Sequence, residues 1–64
     1  MRHTELWRRL ERTLGPAYYE YWAGSFAITE LQSQTVREAL AAGTPPKEVW
    51  EAVHRVLELP ASER

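Results

Sequence analysis

Apolar residues recur at helical spacing along most of the chain, and polar residues separate them. Residues three and four apart lie on one face of a helix, so this spacing predicts amphipathic helices that pack against one another. Nowhere do apolar and polar residues alternate as they do in a half-buried strand. The pattern predicts helices at about residues 4–14, 16–24, 35–42 and 45–58, a short helical turn at 26–31 and a frayed tail at 60–64.

The ends of the first two helices are predicted from residues that favour helix termini. Thr4 is expected to cap the first helix, and Gly15 to end it in a left-handed conformation. Pro16 suits the first turn of a helix, so the second helix should fold back at once as a hairpin. Past Gly24-Ser25 the apolar stripe moves to the opposite side, so we expect a break there.

The later helices carry clearer end signals. Thr35 and Glu38 have the spacing of a capping box, in which each side chain accepts a hydrogen bond from the other residue's backbone N–H. Gly43 is expected to end that helix. Thr44-Pro45 should start the last helix, with Thr as its cap, and Pro60 should follow its end.

The large apolar residues of these helices predict the fold. A chain of 64 residues forms one domain, here residues 1–64. We predict an all-α fold, a small orthogonal bundle of three main helices plus one short linking helical turn. The predicted core contains Trp7, Leu10, Trp22, Leu40, Val49, Trp50 and Val53. Because the core is small, no ligand pocket of ~300–1,000 Å³ is expected inside one copy.

Residue types that usually carry catalysis are scarce. The absence of cysteine excludes disulfides, thiolate zinc sites and cysteine nucleophiles, and aspartate is absent as well. His3 and His54 have no partner at metal-ligand spacing, and Glu48 and Glu51 are expected to form a solvated pair. We therefore expect no enzymatic activity, no catalytic residue, no metal and no cofactor.

The chain has neither a visible signal peptide nor an apolar run near the ~20 residues of a membrane span. Together with the absence of cysteine, this predicts a cytoplasmic protein that does not associate with membranes.

Basic residues are concentrated in the first helix. The formal net charge is −1, but residues 1–15 carry a net charge of +2. Arg8, Arg9 and Arg12 form a candidate basic surface that suits an acidic partner or nucleic acid. The same pattern fits the solvated side of an amphipathic helix, and the overall charge does not favour a dedicated nucleic-acid domain.

The chain has three Trp, three Tyr and one Phe, which is a large number of rings for so small a core. At helical spacing such rings are usually buried. Tyr19 and Tyr21 are the rings expected to stay exposed. They are the candidate partner surface, because Tyr is a frequent anchor in protein interfaces.

Residues 35–57 allow a helix-turn-helix interpretation. Ala39, Gly43 and Val49 fit the small, turn and apolar positions of that motif. Two prolines would occupy the start of the recognition helix, where Lys47 is the one cation and two glutamates oppose a phosphate backbone. Lys47 is therefore a weak candidate for DNA contact, and a plain pair of packed helices is the other interpretation.

Taken together, these residues resemble a small actinobacterial family known only as a domain of unknown function, number three thousand and forty-six in its series. The resemblance covers nearly the whole chain and is carried by Thr4-Glu5, Trp7-Arg8-Arg9, Gly15, Ala17-Tyr18, Trp22-Ala23, Leu31, Thr35-Val36, Glu38 to Gly43, Lys47 to Trp50 and Leu57 to Ser62. It brings no activity or binding site. Members are often encoded beside a recombinase and its regulator, which implies a link to DNA metabolism by neighbourhood. Gln32-Ser33-Gln34 departs from the Gly-Gly-basic stretch of the family pattern.

The sequence thus predicts a non-enzymatic protein-interaction module, whose partner is an unknown protein and whose own state is a monomer or weak homodimer. The alternative is a helix-turn-helix-like DNA-binding accessory protein that uses residues 35–57 and the Arg-rich first helix.

Overall fold

Four α-helices and two turns of 3₁₀ helix make up the computed structural model, which describes residues 1–63. The helices are α1 (His3–Leu14), α2 (Tyr19–Ser25), α3 (Val36–Ala41) and α4 (Pro46–Val56), and the 3₁₀ turns are Thr29–Leu31 and Ala61–Glu63. Over these residues the only strand-like pairing is an isolated bridge between Ile28 and Gln34. The predicted all-α class is confirmed, and three of the helices have seven or more residues.

The α1–α2 hairpin differs from the prediction at the start of α1 and in the turn between the two helices. α1 begins one residue early, because the Leu6 N–H donates to the Arg2 carbonyl at 3.0 Å, so Thr4 lies inside the helix and does not cap it. Gly15 has the expected positive φ of 94°, but its ψ of 151° is extended and not left-handed helical. Pro16 therefore lies in a turn, and α2 begins only at Tyr19.

The expected break after α2 is confirmed. The helix ends at Ser25, and Phe26 is extended, with φ −89° and ψ 113°. The predicted helical turn at 26–31 is shorter in the structure, since only Thr29–Leu31 is helical. This break turns Ile28 and Leu31 into the core beside Trp22, although a continuous helix would have placed them on the opposite side.

Left-handed residues close the connector between α2 and α3. Gln32 and Ser33 have φ values of 59° and 61°. Their conformation allows the Ser33 N–H to donate to the Ile28 carbonyl at 3.0 Å, while the Ile28 N–H donates to Gln34 at 2.9 Å. Glycine adopts such φ values without strain, whereas side chains such as those of Gln32 and Ser33 do so at a conformational cost.

The capping box of α3 is confirmed. The Glu38 N–H donates to the Thr35 hydroxyl at 3.1 Å, and the Thr35 N–H donates to the Glu38 carboxylate at 2.9 Å. Gly43, with φ 98°, then ends the helix in a Schellman motif, because its N–H meets the Leu40 carbonyl and the Thr44 N–H meets Ala39.

The last helix is shorter than predicted. Thr44 does not cap it: Pro45 is the cap residue and Pro46 the first helical residue. α4 ends at Val56 in a second Schellman motif, in which Glu58 takes the left-handed position with φ 53°. In the tail that was expected to fray, Ala61–Glu63 form a 3₁₀ turn, and Arg64 lies outside the described residues.

The helices pack in a ring around one core. α1 and α3 each contact both α2 and α4, and the first 3₁₀ turn packs on α4. Five of the seven predicted core residues are buried, whereas Trp7 and Leu40 lie half-buried at the edge of the core. The buried apolar residues that the prediction omitted are Leu6, Ala23, Ile28, Leu31, Val36, Ala39 and Ala52.

Candidate interaction surfaces

Three aromatic rings are exposed on or beside α2. Tyr18 is 48% exposed, Tyr21 68% and Phe26 43%. The rings of Tyr18 and Tyr21 lie 5.9 Å apart, and Phe26 stacks on the buried Trp22 at 5.2 Å. We call Tyr18, Tyr21 and Phe26 the α2 aromatic surface. Tyr21 has the exposure expected from the sequence, whereas Tyr18 and Phe26 were expected to be buried like most of the rings. α2 begins at Tyr19 and ends at Ser25, so Tyr18 and Phe26 flank the helix and stay partly exposed.

Tyr19 is half-buried, contrary to the expectation that it is exposed. Its ring packs edge-on against Trp7, with centroids 6.3 Å apart. Desolvation raises the pKa of the Tyr19 phenol above its ordinary 10.0, Glu20 and Glu11 raise it further, and Arg37 opposes them. The phenol is therefore neutral near pH 7 and serves as a packing group.

Arg37 covers the edge of the core beside Tyr19. Its guanidinium lies 4.9 Å from the centre of the Trp7 ring, and it approaches the Glu20 carboxylate at 4.0 Å. It also packs beside Gly24, where a Cβ would lie at an ordinary contact distance of 3.4 Å from Arg37 Nε. Sequence reasoning missed this contact, since no spacing rule links residues of different helices.

The candidate basic surface on α1 is divided by packing. Arg8 and Arg12 are exposed. Arg9 instead donates to the Glu5 carboxylate at 2.8 Å and lies over the Trp50 ring at 5.6 Å. One of the three predicted basic residues thus links α1 to α4, and the other two face solvent.

Two depressions lie on the surface that α1 and α4 form. The larger of the two has a volume of about 580 Å³ and is lined by Met1, Glu5, Arg9, Lys47, Trp50, Glu51, His54 and Arg55. The second encloses about 480 Å³ and is lined by Arg2, Thr4, Glu5, Arg8, Arg9 and Arg12. The two share Glu5 and Arg9, so they adjoin. No ligand-sized pocket was expected inside one copy, and these depressions are instead open grooves on its surface.

The α3–α4 pair keeps only part of the helix-turn-helix pattern. Ala39 and Val49 are fully buried, as that motif requires. However, α3 has only six residues, and the exposed residues at the start of α4 are Lys47 and Glu48, whose charges cancel. Lys47 lines the larger groove together with Arg9.

The histidines are placed apart from any cluster. The His54 ring lies with Nε2 2.9 Å from the Pro60 carbonyl, and because a carbonyl only accepts, His54 donates. Among the side chains that the structure describes, those of residues 1–62, no three of His, Cys, Asp or Glu converge as metal ligands. No helix in the same residues has the length and apolarity to cross a membrane.

Comparison with known families gives a match over nearly the whole chain. The family described as protein of unknown function (DUF3046) matches residues 1–62. No curated protein and no solved structure matches the chain. Because the match runs from α1 to the last 3₁₀ turn, it includes every surface described above. The chain therefore belongs to the DUF3046 family, whose function is unknown.

Proposed function

We propose that this chain is a non-enzymatic protein-interaction module that binds a partner protein through the α2 aromatic surface. The observation that carries the proposal is the exposure of Tyr21, at 68%, beside two further exposed rings in a chain of 64 residues. Tyrosine is a frequent interface anchor, because its ring buries a large apolar area while its hydroxyl forms a hydrogen bond.

Packing of the rings supports the same proposal. Tyr18 contacts Tyr21, and Phe26 rests on the buried Trp22. Rings that are already held lose less conformational entropy on binding, so more of their buried area contributes to affinity. The partner expected is a protein with an apolar recess for the Tyr21 ring and a hydrogen-bond acceptor for its hydroxyl.

The test is quantitative capture of a partner from native lysate at moderate salt, with and without nuclease. We expect Tyr21→Ala to reduce recovery of the captured protein, because truncating an interface anchor costs ~2 kcal/mol or more. Tyr21→Phe is the matched control, since it keeps the ring and removes only the hydroxyl.

Thermal unfolding is measured in parallel. Tyr21→Ala should leave the melting temperature nearly unchanged, because the side chain is exposed. Equal recovery with wild type and Tyr21→Ala would contradict the proposal. If the chain self-associates at high concentration and Tyr21→Ala abolishes this association, the partner is a second copy of the chain.

The DNA-binding alternative is supported by one observation, the burial of Ala39 and Val49 at the motif positions of the α3–α4 pair. It predicts that a duplex probe binds with an affinity that falls steeply with salt. Replacing Arg8, Arg9 and Arg12 should then flatten that dependence, whereas Tyr21→Ala should not change it.

A further inference from the structure

The two adjoining grooves form one concave surface across α1 and α4, and its lining is strongly basic. The basic side chains in it are Arg2, Arg8, Arg9, Arg12, Lys47 and Arg55. The carboxylates that line it, among the side chains described, are Glu5 and Glu51. Six cations against two carboxylates give a local formal charge of +4, whereas the whole chain carries −1. We call this surface the basic band.

We propose that the basic band binds an acidic segment of a partner protein. The surface is separate from the α2 aromatic surface, and its occupant has different chemistry. The proposal therefore goes beyond the interaction through Tyr21, and either one stands if the other fails.

Folding creates this charge. The sequence places a positive excess only in residues 1–15. Packing of α1 on α4 brings Lys47 and Arg55 into the groove that Arg9 lines. Opposite charges attract over a distance of several ångströms, so clustering six cations raises the local attraction for an anionic segment beyond that of the first helix alone.

Part of this charge is already compensated. Arg9 pairs with Glu5 at 2.8 Å, and Arg55 pairs with Glu30. Arg2, Arg8, Arg12 and Lys47 are exposed, and among the described ion pairs none involves them. These four side chains therefore supply most of the attraction for a bound carboxylate.

The mixed lining favours a polypeptide over a nucleic acid. Glu5 belongs to both grooves and Glu51 to the larger one, so a continuous phosphate backbone would meet repulsion in the middle of the band. A peptide has backbone N–H groups that donate hydrogen bonds to these carboxylates, and it can also place separate carboxylates against the arginines. Trp50 in the larger groove adds an apolar contact for side-chain methylenes.

The size of the molecule sets the length of the segment. Its longest dimension is 26 Å. An extended chain rises about 3.3 Å per residue, so roughly eight residues would cross the whole surface. A short acidic segment is therefore sufficient.

The experiment uses the full chain and a capped twelve-residue peptide of alternating Glu and Ser. Binding is followed by titration calorimetry and by backbone amide shifts in low salt. The comparison probes are the same peptide with Gln for Glu, a twelve-base-pair duplex and inorganic phosphate. We expect the acidic peptide alone to shift the amides of α1 and α4, with affinity falling as salt is raised.

Two variants locate the site. Arg8→Gln with Arg12→Gln should weaken peptide binding about fivefold, since an exposed ion pair contributes about 0.5 kcal/mol and tenfold corresponds to 1.4 kcal/mol. Lys47→Gln should weaken it about twofold to threefold on the same grounds. The matched control is Ala27→Glu with Ala41→Glu, which changes net charge equally at exposed positions outside the band.

Each other outcome overturns the proposal. Tighter binding of the duplex than of the peptide would assign the band to nucleic acid. Peptide shifts confined to α2, or equal weakening by the control variant, would show attraction that is not specific to this surface. Absence of binding to either probe at low salt would leave the arginines as a solvated face.

Discussion

The pair of long helices and the region of short elements between them are stabilised in different ways. α1 and α4 have 12 and 11 residues, and each turns an apolar stripe into the core. The region from α2 to α3 consists of helices of seven and six residues around a closed loop. Isolated helices shorter than about 12–15 residues are marginal in water, and helices of six or seven residues make at most two turns, so the short region depends more on its end caps and turns than the long helices do.

The two regions also expose different chemistry, which is aromatic in the short region and basic on the long helices. The long helices fill the centre of the core with Leu6, Leu10, Val49 and Val53. The short region contributes buried residues too, but it also carries the exposed rings of α2 and the left-handed residues of the connector. The α2 aromatic surface, which is available to a partner, therefore lies in the region of the shortest helices.

The largest expected effect is in α4. Trp50→Ala should lower the free energy of unfolding by about 3–5 kcal/mol, because Trp50 is only 2% exposed and its loss leaves a cavity. A domain of this length has roughly 3–10 kcal/mol in total, so the variant should be largely unfolded in urea titrations at low denaturant. Tyr21→Ala is the control from the short region and should change stability by less than about 0.5 kcal/mol. Similar losses in the free energy of unfolding for both variants would show that the long helices and the short region do not differ in this way.

The capping box gives the next largest effect. Thr35→Ala removes the hydroxyl that accepts from Glu38, which should cost about 1 kcal/mol. For a chain of this length that corresponds to a fall in melting temperature of about 4–8 °C. Thr35→Ser keeps the hydroxyl and should retain most of the stability. If Thr35→Ala had no effect, dependence of the short region on its caps would be disproved.

The left-handed connector should gain stability from glycine. Gln32→Gly relieves a φ of 59°, which costs a side chain ~1–2 kcal/mol, against an entropic cost for glycine of ~0.5–1 kcal/mol. The expected net gain is about 0.5 kcal/mol, measured by urea unfolding. Gln32→Ala keeps the Cβ and should give no gain, so an equal rise with alanine would exclude relief of strain as the cause.

The smallest effect concerns the arginine over Trp7. A double-mutant cycle of Arg37→Gln and Trp7→Leu should give a coupling of about 0.5 kcal/mol, as expected for a partly exposed cation–π contact. Arg9 over Trp50 offers the same pair in the long helices. Additive effects of Arg37→Gln and Trp7→Leu would show that the contact does not stabilise the short region.

Much of the fold can be predicted from local signals, because they act over a few residues. The capping box at Thr35 and the stop at Gly43 rest on hydrogen bonds or φ preferences within one turn, and the break after Ser25 is indicated by a shift of the apolar stripe over neighbouring turns. The predictions at Thr4, Pro16 and Thr44 were wrong because several neighbouring residues suit the position at a helix end. The backbone around that end decides which residue occupies it.

The sequence by itself determined the helical class, the main apolar stripes and the absence of cysteine chemistry, since periodicity and composition need no knowledge of distant contacts. Only the tertiary structure decided that Arg37 covers Trp7, that Tyr19 is half-buried, and that Lys47 and Arg55 join the arginines of α1. These outcomes depend on which helices pack side by side, and that choice follows from burying all the stripes at once.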